Sequence, residues 1–186
     1  GYWKDVGTLG SYWESNMELI DLIPEFNLYE EFWRIYTKSE VIPPQYISGE
    51  AVVDRALIGE GSEIYGEVHN SVIGCGVTIG PGAVVRDSII MNGSVIGVRT
   101  IVEKGVIAES CVIGSDCELG LGDSAPNTAR PDIYCFDLVT IGEDSVVPDN
   151  VKIGKNTAIS GGTTLDDYPS GVLRAGENII KAGDRS

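Results

Sequence analysis

Aliphatic residues recur about every six positions over the second half of the chain, and this spacing predicts most of its structure. Each unit starts with an aliphatic residue, usually Ile followed by Gly, and has a small or β-branched residue four positions later. Such hexads form the short strands and tight corners of a parallel β-helix, in which these two positions face inward. We therefore predict a mainly β protein. The Ile-Gly starts are Ile58, Ile73, Ile79, Ile96, Ile113, Ile141 and Ile153.

One long stretch interrupts the spacing. Between Gly120 and Val139 the hexads give way to Asp, Asn and Pro, which favour turns over strands. We predict that this stretch is a loop leaving one coil of the β-helix, and that its Arg130 is a candidate contact for an anion. The tail from Thr163 to Ile180 is expected to cover the open end of the β-helix, where strand edges would otherwise be unpaired.

The first 45 residues lack the hexad spacing and predict a short strand, a turn and an amphipathic helix. Either Ser11, paired with Glu14 in a capping box, or Thr8 can begin the helix. Pro24 is expected to end it. The apolar face of this helix consists of Leu9, Trp13, Met17 and Ile20.

The same segment is rich in aromatic residues, and it is too small to bury them by itself. Two explanations remain open. The segment can pack against the side of the β-helix, or it can be the end of a larger domain that begins before Gly1. The start of the chain in the middle of a predicted strand favours the second explanation.

Composition excludes several classes of function. A net charge of −15 and a pI near 4.3 argue against nucleic-acid binding, which needs clustered Lys and Arg. No apolar run approaches a membrane span and no signal peptide opens the chain, so we expect a cytoplasmic protein without a membrane partner. The cysteines have no metal-binding spacing and are expected to be reduced packing residues. They are Cys75, Cys111, Cys117 and Cys135.

The single histidine, His69, discriminates between known classes of β-helix enzyme. Carbonic anhydrases of the hexapeptide type need three imidazoles around a metal, so a single histidine argues against that class. Hexapeptide acyltransferases use a histidine as general base, and His69 keeps that alternative open. Its place in an extension between Ile64 and Ile73 instead favours an exposed corner.

The octet Gly-Tyr-Trp-Lys-Asp-Val-Gly-Thr at residues 1–8 and the stretch Tyr-Trp-Glu-Ser-Asn-Met at residues 12–17 resemble bacterial glucose-1-phosphate adenylyltransferases, also called ADP-glucose pyrophosphorylases. Residues 33–37 and 43–47 resemble the interdomain linker of that family. Residues 87–91 and 146–149 are similar to its β-helix coils. The resemblance is specific in the octet and the linker, and general in the hexads.

The resemblance implies a fold and a division into domains. It implies a left-handed parallel β-helix at residues 46–165, preceded at residues 1–45 by the end of a Rossmann-like nucleotidyltransferase domain and a linker. Residues 166–186 would be a capping tail. The family assembles through its β-helix, so we expect a homotetramer or a hetero-oligomer with a sister subunit.

The resemblance also implies an activity and two site residues. The family makes ADP-glucose and pyrophosphate from ATP and glucose 1-phosphate for glycogen synthesis. Both substrates bind an upstream domain that this sequence lacks, so the chain alone is expected to be inactive. Asp5 would hold Mg²⁺ beside the phosphates, and Trp3 would line the sugar-phosphate pocket. Because Trp3, Asp5 and Gly7 are all present, the catalytic subunit is favoured over a non-catalytic companion.

Two further alternatives remain beside the acyltransferase. One is a different sugar-1-phosphate nucleotidyltransferase, such as a mannose-1-phosphate guanylyltransferase; the octet and the linker argue against it. The other is a β-helix module that serves assembly without catalysis.

Overall fold

The chain from Tyr46 to Ile179 winds into a parallel β-solenoid. The structure, a computed structural model, describes residues 3–28, 31–32 and 41–181; the linker motif at residues 33–37 lies outside them. The strands within these residues are β1 (Tyr46–Ile47), β2 (Val52–Ile58), β3 (Glu63–Ile64), β4 (Glu67–Ile73), β5 (Thr78–Ile79), β6 (Val84–Arg86), β7 (Ile89–Ile90), β8 (Val95–Ile96), β9 (Ile101–Glu103), β10 (Gly105–Ile107), β11 (Val112–Ile113), β12 (Glu118–Leu119), β13 (Val139–Ile141), β14 (Val146–Val147), β15 (Lys152–Ile153), β16 (Thr157–Ile159), β17 (Val172–Leu173) and β18 (Asn178–Ile179).

These strands stack in three rows that form the three faces of the solenoid. The first face is the sheet β1-β3-β5-β8-β11-β14. Strands β2 and β4 bend in the middle and contribute to both other faces. The second face continues from β4 through β6, β9, β12, β15 and β17, and the third through β7, β10, β13, β16 and β18. Every pairing is parallel, so each coil satisfies the backbone of its neighbours.

The core consists of the positions that the hexad spacing predicts. On the first face Ile64, Ile79, Ile96 and Ile113 are at most 1% exposed and stack in register. Full burial of one such side chain contributes about 1.5–3 kcal/mol. The residues four positions after the hexad starts are buried as well, as predicted. The mainly β, hexapeptide-repeat fold is thus confirmed.

Small polar residues at these inner corners connect one coil to the next. Ser94 Oγ donates to the carbonyl of Ala108 at 2.8 Å and accepts the backbone N–H of Cys111 at 3.1 Å. Thr100 Oγ1 acts in the same way between Gly114 and Cys117. Cys111 and Cys117 are fully buried, and burial raises the pKa of both thiols. Both are free thiols and serve as packing residues, as expected.

The helix α1 (Leu9–Glu18) differs from its prediction at both ends. Thr8 is the N-cap: its Oγ1 accepts the Ser11 N–H at 3.1 Å, and Ser11 Oγ accepts the Thr8 N–H at 3.1 Å. The predicted box of Ser11 with Glu14 is therefore wrong, and the alternative cap is right. The helix also ends at Glu18, so Pro24 does not end it.

The predicted loop occupies the interval between β12 and β13, where the structure has no strand. Beyond β16, residues 166–181 lie at the end of the stack and add β17 and β18 to it. Tyr168 closes the core there; it is 7% exposed, and its hydroxyl lies 3.0 Å from Thr163 Oγ1. None of the helices in the described ranges is both long and apolar enough to span a bilayer.

Candidate functional site

A line of left-handed corners runs between the second and third faces of the solenoid. Its members are Arg55, Asn70, Asp87 and Lys104, with φ values of 50°, 47°, 48° and 51°. We call these four residues the corner ridge. Non-glycine residues adopt positive φ rarely, and Asn and Asp do so most readily. The corner ridge therefore carries charged and amide side chains, which glycine at the same corners would lack.

Asp87 is held by two hydrogen bonds from the neighbouring coil. Its backbone N–H donates to the carbonyl of His69 at 3.1 Å, and its carboxylate accepts from Asn70 Nδ2 at 2.5 Å. The next peptide, which carries the Asp87 carbonyl, is held from the same neighbouring coil, because the Ser88 N–H donates to Ser71 Oγ at 3.1 Å. The Asp87 carbonyl oxygen points to the N-terminal segment.

Helix α1 docks on the corner ridge through polar contacts. Trp13 Nε1 donates to the carbonyl oxygen of Asp87 at 2.7 Å. The Lys104 ammonium lies 5.4 Å from the centroid of a Trp13 ring, within the range of a cation–π contact. Just beyond the helix, Asp21 Oδ1 accepts from Arg55 Nη2 at 3.0 Å.

An apolar patch on the third face also packs against α1. Ile89, Val106 and Leu138 are between 1% and 4% exposed although they lie outside the main core. The helix therefore packs against the side of the solenoid, which was the first of the two explanations for its aromatic residues. The side chains that cover the patch are Leu9, Tyr12, Trp13, Met17 and Met91.

The loop at residues 120–138 contacts the same helix. A Cβ on Gly10 would lie 2.5 Å from Phe136 Cε2, so the Phe136 ring rests directly on the helix backbone. Lys104 Nζ also donates to the Phe136 carbonyl at 3.3 Å. At its other end the loop is held by Asn127, which is 3% exposed and donates to the carbonyl of Asn156 at 2.8 Å.

The predicted site residues Trp3 and Asp5 lie just before α1 and are exposed. Trp3 is 83% exposed. Asp5 Oδ1 accepts the backbone N–H of Gly7 at 2.9 Å, which orients the carboxylate. Lys4 Nζ lies 2.5 Å from Glu18 Oε1, so the segment runs back along the helix.

Asp5 can supply one ligand to a metal ion. Within residues 3–28, 31–32 and 41–181, no group of three or more His, Cys, Asp or Glu side chains could hold a metal ion. Mg²⁺ in phosphate chemistry uses one or two protein carboxylates and takes its other ligands from phosphates and water. An exposed, oriented carboxylate fits that requirement in part. Its role as a Mg²⁺ ligand stays a prediction, as does the substrate role of Trp3.

The other two candidate residues lie beside acidic side chains. His69 Nε2 is 3.1 Å from Glu67 Oε2, and Arg86 Nη2 is 4.0 Å from the same oxygen. The cleft beside α1 does not include His69. Arg130 lies in the loop with its Nε 3.5 Å from Asp132 Oδ1, and its role as an anion contact stays a prediction.

Neither the hexad spacing nor the resemblance predicts the corner ridge or the contact of Phe136 with Gly10. The ridge has a signal in the sequence: a charged or amide residue follows three residues of the second-face strand in successive coils. That signal indicates a corner with positive φ, but it does not indicate that the helix packs there.

A family model described as GlmU-like, C-terminal hexapeptide matches residues 43–130. A glucose-1-phosphate adenylyltransferase of Lachnospira eligens is 69% identical over 184 residues, which is 99% of this chain and 44% of the relative. The chain is related to glucose-1-phosphate adenylyltransferases. Enzymes of that name from Thermosipho melanesiensis and Acetivibrio thermocellus are 57% and 42% identical, over 96% and 99% of this chain and 42% and 43% of their own length.

The relationship to glucose-1-phosphate adenylyltransferases confirms the resemblance inferred from the octet and the linker. The chain spans less than half the length of these relatives. The match to a hexapeptide family agrees with the solenoid that the structure shows.

Proposed function

We propose that the chain is the β-solenoid part of a glucose-1-phosphate adenylyltransferase. The complete enzyme makes ADP-glucose and pyrophosphate from ATP and glucose 1-phosphate, for glycogen synthesis in the cytoplasm. The observation that carries the proposal is the 69% identity over 99% of the chain to a relative of that name. The chain alone is inactive, because the substrates bind the preceding part of the enzyme.

In this reaction a phosphate oxygen of glucose 1-phosphate attacks the α-phosphorus of ATP. A new phosphorus–oxygen bond forms, and the bond to the bridging oxygen breaks to release pyrophosphate. Mg²⁺, when bound, would stabilise the charge on the phosphates. Asp5 is the residue of this chain that would hold the ion, and its Oδ1 accepts the Gly7 N–H at 2.9 Å, which orients the carboxylate. Trp3, whose indole is exposed, forms one wall of the pocket for the sugar phosphate.

We also propose that the complete enzyme is a homotetramer or a hetero-oligomer with a sister subunit. Apolar side chains on the solenoid support this. Tyr46, Ile47 and Val52 at its first coil are 46–55% exposed, and Val112 on the first face is 43% exposed. Exposed apolar side chains of this kind are surfaces that another subunit can bury.

The proposal is tested by joining the part of the Lachnospira eligens relative that precedes the matched stretch to this chain. We expect the fusion to form ADP-glucose from ATP and glucose 1-phosphate with Mg²⁺, and not to form GDP-mannose from GTP and mannose 1-phosphate. Asp5→Asn lowers kcat/KM at least about a hundred-fold, because it removes a metal ligand. Asp54→Asn, which changes an exposed carboxylate of the solenoid, leaves it unchanged.

The complete Lachnospira eligens enzyme, assayed beside the fusion, establishes that the conditions support activity. A folded fusion that makes no ADP-glucose under those conditions would overturn the proposal and favour an assembly module. Full activity of Asp5→Asn would remove the metal role of Asp5 alone.

A further inference from the structure

The segment that carries Asp5 is attached to α1 at two points. Thr8 caps the first turn of the helix, and Lys4 pairs with Glu18 in its last turn. Because these contacts lie at opposite ends of the helix, the intervening residues follow α1 as one unit. The position of the Asp5 carboxylate therefore depends on the position of α1.

The position of α1 depends in turn on the corner ridge. The apolar contacts of the helix are not directional, and they tolerate a small rotation or shift. The Trp13–Asp87 hydrogen bond is directional. Its acceptor belongs to the peptide whose N–H, from Ser88, donates to Ser71 Oγ of the neighbouring coil at 3.1 Å. Lys104 holds the indole from a second direction.

We propose that Trp13 is a positioning residue for Asp5. Its indole N–H fixes α1 on the carbonyl of Asp87, and α1 sets the place of the Asp5 carboxylate relative to the solenoid. The solenoid thereby contributes to the metal site, although it supplies no ligand. This inference rests on the proposed function of Asp5.

The test compares Trp13→Phe with Tyr12→Phe in the active fusion. Trp13→Phe keeps an aromatic ring on the patch and removes the N–H donor. Tyr12→Phe changes the neighbouring aromatic residue on the same helix. We expect Trp13→Phe to lower kcat about five-fold and to raise the Mg²⁺ concentration for half-maximal activity, because loss of one hydrogen bond lets the helix shift. In Tyr12→Phe, kcat and the Mg²⁺ concentration for half-maximal activity should stay close to the wild-type values. The thermal unfolding midpoint should stay close to wild type in both variants.

A second measurement is independent of turnover. Mn²⁺ binding, followed through the electron paramagnetic resonance signal of the free ion, should weaken about five-fold in Trp13→Phe and should be lost in Asp5→Asn. Lys104→Met should weaken it to a smaller degree, since it removes only the cation over the indole. Lys152→Met, which removes an exposed lysine of the second face, serves as its matched control.

Unchanged Mn²⁺ affinity and unchanged kcat in Trp13→Phe would overturn the inference. A loss of kcat accompanied by a lower thermal unfolding midpoint of the solenoid would also overturn the inference, because Trp13 would then act only in folding. An inactive wild-type fusion refutes the proposed function. Mn²⁺ binding that is lost in Asp5→Asn but unaltered in Trp13→Phe refutes only the positioning role.

Discussion

Replacement of Gly10 by Ala has two opposing effects on the stability of α1: a gain in helix propensity and a clash with the Phe136 ring. Gly10 is the second residue of α1, where Ala is favoured over Gly by at most about 1 kcal/mol. The added Cβ would lie 2.5 Å from Phe136 Cε2 and 2.6 Å from Phe136 Cδ2, which is closer than van der Waals contact. Relief of such overpacking typically costs about 1–3 kcal/mol. We expect α1 to be destabilised by about 1 kcal/mol.

The assay is amide hydrogen exchange over residues 11–18 of the chain, with thermal unfolding of the solenoid measured in parallel. Gly10→Ala should speed the exchange of these amides about five-fold, because 1 kcal/mol of local stability corresponds to that factor. The unfolding midpoint of the solenoid should move little, since its core does not include the helix.

A double-mutant cycle with Phe136→Ala isolates the clash. In the Phe136→Ala background, Gly10→Ala should slow exchange, because only the helix propensity remains. The coupling between the two substitutions should be about 2 kcal/mol. Slower exchange in the Gly10→Ala single variant, to the same extent as in the double variant, would refute the contact between loop and helix.

Two further predictions concern the loop and the end of the solenoid. Asn127→Ala should lower the free energy of unfolding by about 2–3 kcal/mol and expose the loop to limited proteolysis, because a nearly buried amide loses several hydrogen bonds. Asp123→Ala, in the same loop, should do neither. Equal cleavage of the two variants would contradict this prediction. Burial raises the pKa of Tyr168 from 10.0 to about 12, so the folded state holds the phenol proton more tightly than the unfolded state. Stability from this group is complete below pH 10 and is lost as the pH rises toward 12. Urea unfolding at pH 9 and pH 11 should show a smaller alkaline loss for Tyr168→Phe than for wild type, and identical losses would be evidence against it.

The hexad spacing predicted the solenoid because each unit carries its own signal. The aliphatic start and the small residue four positions later recur at every coil, and both positions are buried where they were expected. The long interval after Gly120 was found for the same reason, since a loop is seen as a break in a regular pattern. The start of α1 was less accurate, because the pairs Thr8–Ser11 and Ser11–Glu14 both have the spacing of a capping box.

The candidate site was predicted through resemblance rather than through physical chemistry. An Asp two residues before a Gly is a common turn, and the turn is what the structure shows at Asp5. The ridge that seats α1 was not found, because its residues are about a coil apart in sequence and become neighbours only when the coils stack. Phe136 and Gly10 are separated by most of the solenoid, and no local pattern joins them.

The sequence by itself thus determined the parallel solenoid, its inward columns, the place of the loop and the family to which the chain is related. These features depend on contacts between adjacent coils, which a repeating pattern encodes at every step. Only the tertiary structure decided that α1 lies on the corner ridge, that Trp13 bonds to a backbone carbonyl there, and that Phe136 covers Gly10. A carbonyl oxygen belongs to every residue and leaves no trace in the sequence, so such a contact is specified only by the packed structure.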